Sequence, residues 1–325
     1  MVIRVYDCHE CSIRGTFLEI TSLIVWRYIR DNLCCMLFFV GVCVYVVKFV
    51  YICRAKAEAV RDGIIVINKW IMIFFYSGCG NSRHVAEKVA EATGDQLVFI
   101  PQAAREGRMH YAVQPDERVG FVFPIYSWRP PQLVLDFVGG LRLEGKPSYV
   151  YMFVTYGDDA GLADQVLGKA LEAAGLQLDA AFGVTMPNTY VNMSFMDVDK
   201  PDVVQRKLEE AESRVGEVSG WIAARKRMTD LNRGGAPRLK TFMVGVGFNK
   251  WVSDKKYRAT DACVSCGRCA EVCPLQNITI EDGRPRWNGH CTHCEACYHY
   301  CPQNAVQFGR VTRGKGQYHF DEKQG

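Results

Sequence analysis

From residue 71 onward, apolar runs rich in β-branched and aromatic residues alternate with stretches whose apolar positions recur at helical spacing. The runs predict strands at 71–76, 97–100, 119–123, 148–155 and 180–185, and the helical spacing predicts helices over 82–93, 131–139, 162–174 and 201–227. Asn81 or Ser82 offers the first helix an N-cap, while Gly94 and Gly175 stop the first and third. Strands that alternate with helices in this way predict an α/β domain, a parallel sheet with helices on both faces.

The segment before this domain has another pattern. Residues 33–53 are apolar except for Lys48, and 21 such residues are about the length of a bilayer-spanning helix. Arg54, Lys56 and Arg61 follow, which would place the C-terminal side in the cytoplasm. Met72 opens a strand directly before a glycine-rich turn, so residues 1–70 are read either as an extension with a membrane anchor or as upstream translation absent from the natural protein. A membrane is a partner only if 33–53 is a genuine span. The α/β region is expected over 71–228, followed by a basic linker at 229–258, a cysteine-rich domain at 259–310 and a polar tail at 311–325. Ten basic and two acidic residues lie between Arg225 and Arg258, which fits a solvated connector or a docking patch for an acidic partner.

Composition excludes some classes. Gly and Pro make up 41 of 325 residues and 49% of the chain is hydrophobic, so neither collagen nor wholesale disorder fits. Residues 1–71 hold nine of the 39 Lys/Arg and six of the 35 Asp/Glu, leaving 30 basic and 29 acidic residues, so no nucleic-acid partner is expected. The 15 cysteines are uneven: six lie in 1–53, one is Cys79, and eight fall between Cys263 and Cys301. With none between 80 and 262, these eight read as metal ligands in a reducing cytoplasm rather than a disulfide framework.

Cys263, Cys266, Cys269 and Cys273 precede Pro274, and 28 residues on Cys291, Cys294, Cys297 and Cys301 precede Pro302. In this C-x2-C-x2-C-x3-C-P run three thiolates wrap one cubane and the fourth ligates the other cluster. The sets are then Cys263, Cys266, Cys269 with Cys301, and Cys291, Cys294, Cys297 with Cys273. Zinc is the alternative, although paired C-x2-C knuckles have no use for the third cysteine or the trailing proline. Ser265, Gly267, Ala270 and Ala296 leave backbone N–H groups free to approach cluster sulfurs, and His290, His293 and His299 read as surface or supporting groups. Residues 262–309 resemble the bacterial dicluster ferredoxin domain, which implies two [4Fe-4S] clusters and electron transfer.

Ser77-Gly78-Cys79-Gly80-Asn81-Ser82 lies between the first strand and first helix, where backbone N–H groups make an anion site suited to phosphate. It is neither a Walker loop nor the dinucleotide fingerprint. Pro124-Ile125-Tyr126-Ser127-Trp128 and Thr155-Tyr156-Gly157-Asp158 follow the third and fourth strands, and aromatics there either pack the loops or cover a flavin ring. Residues 71–227 resemble flavodoxin-like domains, and 72–309 resembles a bacterial and archaeal family that fuses such a domain to a dicluster ferredoxin. The resemblance implies a five-stranded parallel sheet of order 2-1-3-4-5 and an FMN held by Ser77, Gly78, Cys79, Gly80, Asn81, Ser82, Pro124, Tyr126, Ser127, Trp128, Thr155, Tyr156 and Gly157, followed by a small α+β ferredoxin domain.

Two positions depart from that family. Cys79 stands where threonine is usual, which removes a hydroxyl donor and puts a thiol beside a helix N-terminus, either as a tolerated small residue or as an oxidation-sensitive switch. Arg129 stands where glycine is frequent, and a cation there would favour an anionic reduced flavin. The expected function is an electron-transfer protein relaying electrons between FMN and two [4Fe-4S] clusters, with redox proteins as partners. A flavin-dependent reductase with its own small-molecule substrate and a redox-sensing binding module are the rivals.

Overall fold

A computed structural model describes residues 72–320. The 33–53 segment and the choice between Met1 and Met72 as start lie outside these residues, and among the described residues no helix is long and apolar enough to cross a membrane.

Strand β1 (Met72–Phe75) is buried along its whole length, as a continuous apolar run must be when both faces of its sheet are covered. It pairs in parallel with β2 (Gln96–Phe99) on one side and β4 (Arg118–Pro124) on the other. β6 (Tyr149–Tyr156), β7 (Ala180–Thr185) and β8 (Thr229–Asp230) extend the sheet to the order β2-β1-β4-β6-β7-β8, with every pairing parallel. Strands β3 (His110–Ala112) and β5 (Arg142–Glu144) form a separate two-stranded parallel sheet.

The five expected strands keep the expected 2-1-3-4-5 order, and this is a flavodoxin-like sheet. The sheet nevertheless has six strands, because the segment read as a linker returns along β7 and pairs Thr229 with Ala181 and Asp230 with Phe182. Two residues are too short to show a period.

Alternation along β1 sends side chains to two cores. Ile73 and Phe75 meet α1 (Asn81–Thr93) and α5 (Pro201–Ala223) through Val85, Val89, Leu208, Val215 and Ile222. Met72, Phe74 and Tyr76 meet α2 (Ile100–Arg105), α3 (Gln132–Gly140) and α4 (Ala163–Ala173) through Ile100, Phe137, Leu167 and Leu171. This leaves the carboxyl ends of the strands as the open edge on which the site is built.

The rest of the expected linker is also folded. After α6 (Pro237–Leu239), a π-helical turn (Lys240–Val244) and α7 (Gly245–Trp251) continue one after the other. Thr241, fully buried, accepts from the Leu162 amide at 2.9 Å and donates to the Trp128 carbonyl. Lys240 pairs with Asp159 at 2.7 Å and Arg233 pairs with Asp164. The basic character of this stretch is thus partly spent on acidic partners within the α/β domain.

The C-terminal domain repeats itself at the 28-residue interval of its cysteines. Helix α8 (Arg268–Glu271) corresponds to α9 (Ala296–His299), and β10 (Ile278–Glu281) corresponds to β12 (Val306–Phe308). β10 pairs antiparallel with β11 (Arg284–Trp287), and β12 with β9 (Tyr257–Ala259). Left-handed backbone recurs at Ser265 and His293, Gly267 and Glu295, and Gln276 and Asn304. All described residues belong to one compact unit, and Val191 of the α/β domain lies in the same core as Tyr257, Ile278, Tyr298 and Phe308.

One buried ion pair ties the amino ends of two strands. Arg118 Nε donates to both Asp95 carboxylate oxygens, at 3.0 and 3.3 Å, with both side chains almost wholly buried. Removing one partner leaves the other charge buried alone. Asp95→Ala is therefore expected to lower the unfolding free energy by about 3–5 kcal/mol, read as a lower urea midpoint at unchanged slope.

Candidate functional site

Four loops at the carboxyl ends of β1, β4, β6 and β7 converge on one cavity of about 360 Å³. It lies where a flavodoxin-like sheet reverses strand order, the usual ligand site of such sheets. Ser77, Gly78, Cys79, Asn81, Ser82, Pro124, Tyr126, Ser127, Trp128, Thr155, Tyr156 and Gly157 all line it, and Gly80 alone of the expected flavin residues does not. The sequence did not single out Met186–Tyr190 after β7, Met193, Phe195 and Met196 in the loop beyond, or Val244, Phe248 and Trp251 of the folded linker, all of which line the cavity. The signal for the first was available: it is the loop after the fifth expected strand, on the same edge as the other three.

The phosphate turn has the features of an anion site. No side chain caps α1 and no acidic residue stands in its first turn, so its leading N–H groups face no competing carboxylate. Gly80, at φ +98°, directs the chain into the helix, and its amide donates to Ser77 Oγ at 3.1 Å. Asn81 donates to the Pro187 carbonyl and Ser82 bonds the Thr155 hydroxyl at 2.7 Å, which fixes three of the converging loops to one another. Trp128, at φ +62°, carries Lys240 Nζ 5.2 Å from its ring centre. Tyr156 is turned into the sheet, with its ring over Gly183 and its hydroxyl accepting from the Asn232 amide. Deeper in, Glu295 is buried with one oxygen accepting from the Val191 amide and the other without a hydrogen-bond partner. That orphaned acceptor suits a hydroxyl or N–H group of a bound cofactor, and these residues fit FMN.

The two departures from the family pattern lie outside the roles of redox switch and flavin cation. Cys79 points away from the phosphate turn: its thiol donates to the Cys294 carbonyl at 3.3 Å. Burial, followed by the nearness of Cys294 and Glu295, pushes its pKa well up, so it is not an activated thiolate. Arg129 does not line the cavity. Its guanidinium donates to the Thr241 carbonyl and its stem packs on Gly245, so it holds the helical segment rather than a flavin charge.

The eight C-terminal cysteines lie in two neighbourhoods, although among the described residues no three such side chains are placed to hold a metal ion, and all nine described cysteines are free. Cys263, Cys266, Cys269 and Cys301 line one small cavity together with Pro302. Burial, with Cys301 and Cys263 among the neighbouring groups that add to it, pushes the Cys269 thiol up to about 11. Cys297 is raised by burial, then by Cys294, Cys291 and Cys273, which places Cys273 with the second group. Amides of Asn277 and Ala305 donate to the Cys273 and Cys301 sulfurs at 3.3 and 3.2 Å, again 28 residues apart. Thiols crowded and buried in this way resist ionising unless a cationic core compensates them, so the donor set fits cubanes. His293 and His299 are buried, contrary to the surface reading. His299 donates to the Thr189 carbonyl and accepts from the Tyr318 amide, tying the cluster helix to the α/β domain.

The cavity and the second cluster group share a wall. A Cβ built on Gly78 would lie 2.7 Å from Cys294 Cβ and 3.0 Å from its carbonyl oxygen, so only glycine allows this approach. The Tyr76 hydroxyl, 3.2 Å from that of Tyr126, faces the Cys294 thiol. The tail closes the contact from outside: Tyr318 donates to Asn81 Oδ1 at 3.0 Å and the Phe320 amide to the Cys79 carbonyl at 2.8 Å.

Residues 247–306 match the family model of the 4Fe-4S dicluster domain. With the flavodoxin-like sheet, this makes the chain a redox protein of electron-transfer type. Among solved structures it is similar to the Trp repressor binding protein from Bacillus subtilis, at 11% identity and a TM-score of 0.30, over 44% of this chain and 95% of that one. It is also similar to an FMN-dependent NADH-azoreductase from Bacillus anthracis in complex with FMN, at 10% identity and a TM-score of 0.28, over 47% and 99%. No curated protein sequence matches the chain.

Tyr76 offers a test of the shared wall. A hydroxyl facing a cluster thiolate stabilises the reduced, more negative cluster. Tyr76→Phe is expected to lower the midpoint potential of one cluster by about 40 mV, the equivalent of a hydrogen bond worth about 1 kcal/mol, and to leave the other unmoved in an EPR-monitored redox titration.

Proposed function

We propose that the protein relays electrons between an FMN in the β-sheet cavity and two [4Fe-4S] clusters. The inner cluster, held by Cys273, Cys291, Cys294 and Cys297, stands beside the flavin. The outer cluster, held by Cys263, Cys266, Cys269 and Cys301, faces redox partner proteins. The observation that carries this reading is the contact of Gly78 and Cys79 with Cys294, which lines the cavity and would, as an inner-cluster ligand, bring that cluster to the flavin. At the other end Cys266 is exposed and Val264 is 61% exposed, giving the outer cluster an apolar approach from solution.

Bound FMN exchanges two-electron for one-electron steps, and each cubane carries one electron. The chain supplies position and environment. The Ser77–Ser82 turn and the α1 N-terminus would hold the phosphate, Trp128 and Tyr126 would flank the ring system, and Met186–Tyr190 with Phe248 line the cavity beyond them.

Protein purified anaerobically is expected to contain iron, sulfide and flavin, and reducing its flavin with a stoichiometric donor should generate an EPR signal from a reduced cluster. Zinc in place of iron, or reduced flavin with no cluster signal at any poise, would overturn the relay. The order of centres is tested by two variants. Cys301→Ser should halve the iron content and leave flavin-to-cluster transfer in place, whereas Cys273→Ser should abolish that transfer.

A further inference from the structure

We propose that the outer side of the cavity is a binding site for a planar, apolar aromatic compound bearing a carbonyl group. The inference rests on the FMN reading for the opposite, polar side, where the phosphate turn lies.

The outer wall is built from residues that the flavin-cradling loops do not contribute. Met193, Phe195 and Met196 come from the loop between β7 and α5, and Val244, Phe248 and Trp251 from the helical segment after β8. Although they line a cavity, Phe195 is 83% exposed and Trp251 is 79% exposed. Two large rings left in water at the mouth of a concave site present unused apolar area, which a flat ring of similar size would cover.

Both halves of this wall are held in place. Lys315 donates to the carbonyls of Val191, Met193 and Met196, the first at 2.8 Å, so one ammonium fixes the loop that carries Phe195. Phe248 meets Tyr190 edge to face at 6.0 Å and His293 at 6.1 Å, which seats α7. Lys240 and Asp159, at the edge of this side, pair with each other.

Few polar groups face this side. The Tyr190 hydroxyl lies in the lining and makes no hydrogen bond among the described residues, and the buried Nδ1 of His293, under Phe248, has no partner either. Burial, then the nearness of Glu295, raises its pKa, so it is a neutral donor. A neutral O–H donor set beside the aromatic and thioether side chains of this wall suits a ligand that is apolar, flat and equipped with an acceptor, and a carbonyl oxygen meets that description.

The probe is 2-acetonaphthone, titrated into the FMN-loaded protein and followed by quenching of tryptophan fluorescence, with 2-ethylnaphthalene as the partner lacking the carbonyl. Saturable binding is expected, weakened about tenfold or more by Phe195→Ser, an exposed position whose change should leave the thermal midpoint unmoved. Tyr190→Phe should weaken acetonaphthone several-fold and ethylnaphthalene hardly at all. Quenching that does not saturate, or an affinity that neither substitution changes, would overturn the site. Flavin content is measured separately: protein lacking flavin that still binds acetonaphthone through Phe195 would defeat the FMN reading and leave this site standing.

Discussion

The described molecule is organised around the approach of the Cys294 loop to the Ser77–Gly80 turn. Electron exchange between two bound centres falls steeply with distance, so a relay needs their protein cradles in contact. Here the contact is between Gly78 and Cys294, and any side chain at position 78 would close the gap only by pushing the two loops apart. Gly80 is constrained twice, by its positive φ and by Phe320, whose Cβ would lie 2.8 Å from an added Cβ. Around this point the α/β domain and the cluster domain exchange hydrogen bonds at Val191 with Glu295, Thr189 with His299, and Asn192 with Tyr257.

Charge explains why the two domains belong together. Cys269, Cys291, Cys294 and Cys297 are held up as neutral acids, chiefly by desolvation, and ligation would make all eight cysteines thiolates. An oxidised all-thiolate cubane keeps a net charge of about −2, and an FMN phosphate adds about −2 more. Residues 72–325, nearly neutral as a bare chain, thus become acidic once loaded. The basic residues beside the site then gain a reason: Lys315 sits among three carbonyls of the loop at the cavity mouth, and Lys240 stands over Trp128.

Much of this was legible in the sequence because two constraints leave strong traces. Ligand spacing cannot drift without losing a cluster, so both octads stand out, and the five long strands of a sheet covered on both faces must be apolar runs. What was not legible depends on contacts far apart in the chain. Residues 229–258 read as a linker because glycines and basic residues hide the register of Thr241, Val244, Phe248 and Trp251, and it is the partners Leu162, Trp128 and Tyr190 that make a docked helix of them. Cys79 beside a helix N-terminus could be read as a tolerated small residue or as an oxidation-sensitive thiol, and its side chain lies against the Cys294 carbonyl, a partner 215 residues away. The tail at 311–320 looked merely polar, yet Lys315, Gln317 and Tyr318 satisfy carbonyls and side chains of both domains.

The same contacts make cofactor loading a shared property. Glu295 and Cys294 are part of the cluster loop and also part of the flavin cavity, while Tyr318, carried by the tail that follows the second octad, holds Asn81 of the phosphate turn. A cluster that fixes its loop therefore fixes one wall of the cavity, and the ordering cost of that wall is not met a second time when flavin binds. By linkage the coupling is reciprocal, so flavin favours the cluster-bound state by the same free energy. In the proposed relay the inner cluster would carry most of this coupling, because its proposed ligand Cys294 touches the cavity, whereas Cys266 of the outer group is exposed and does not line it.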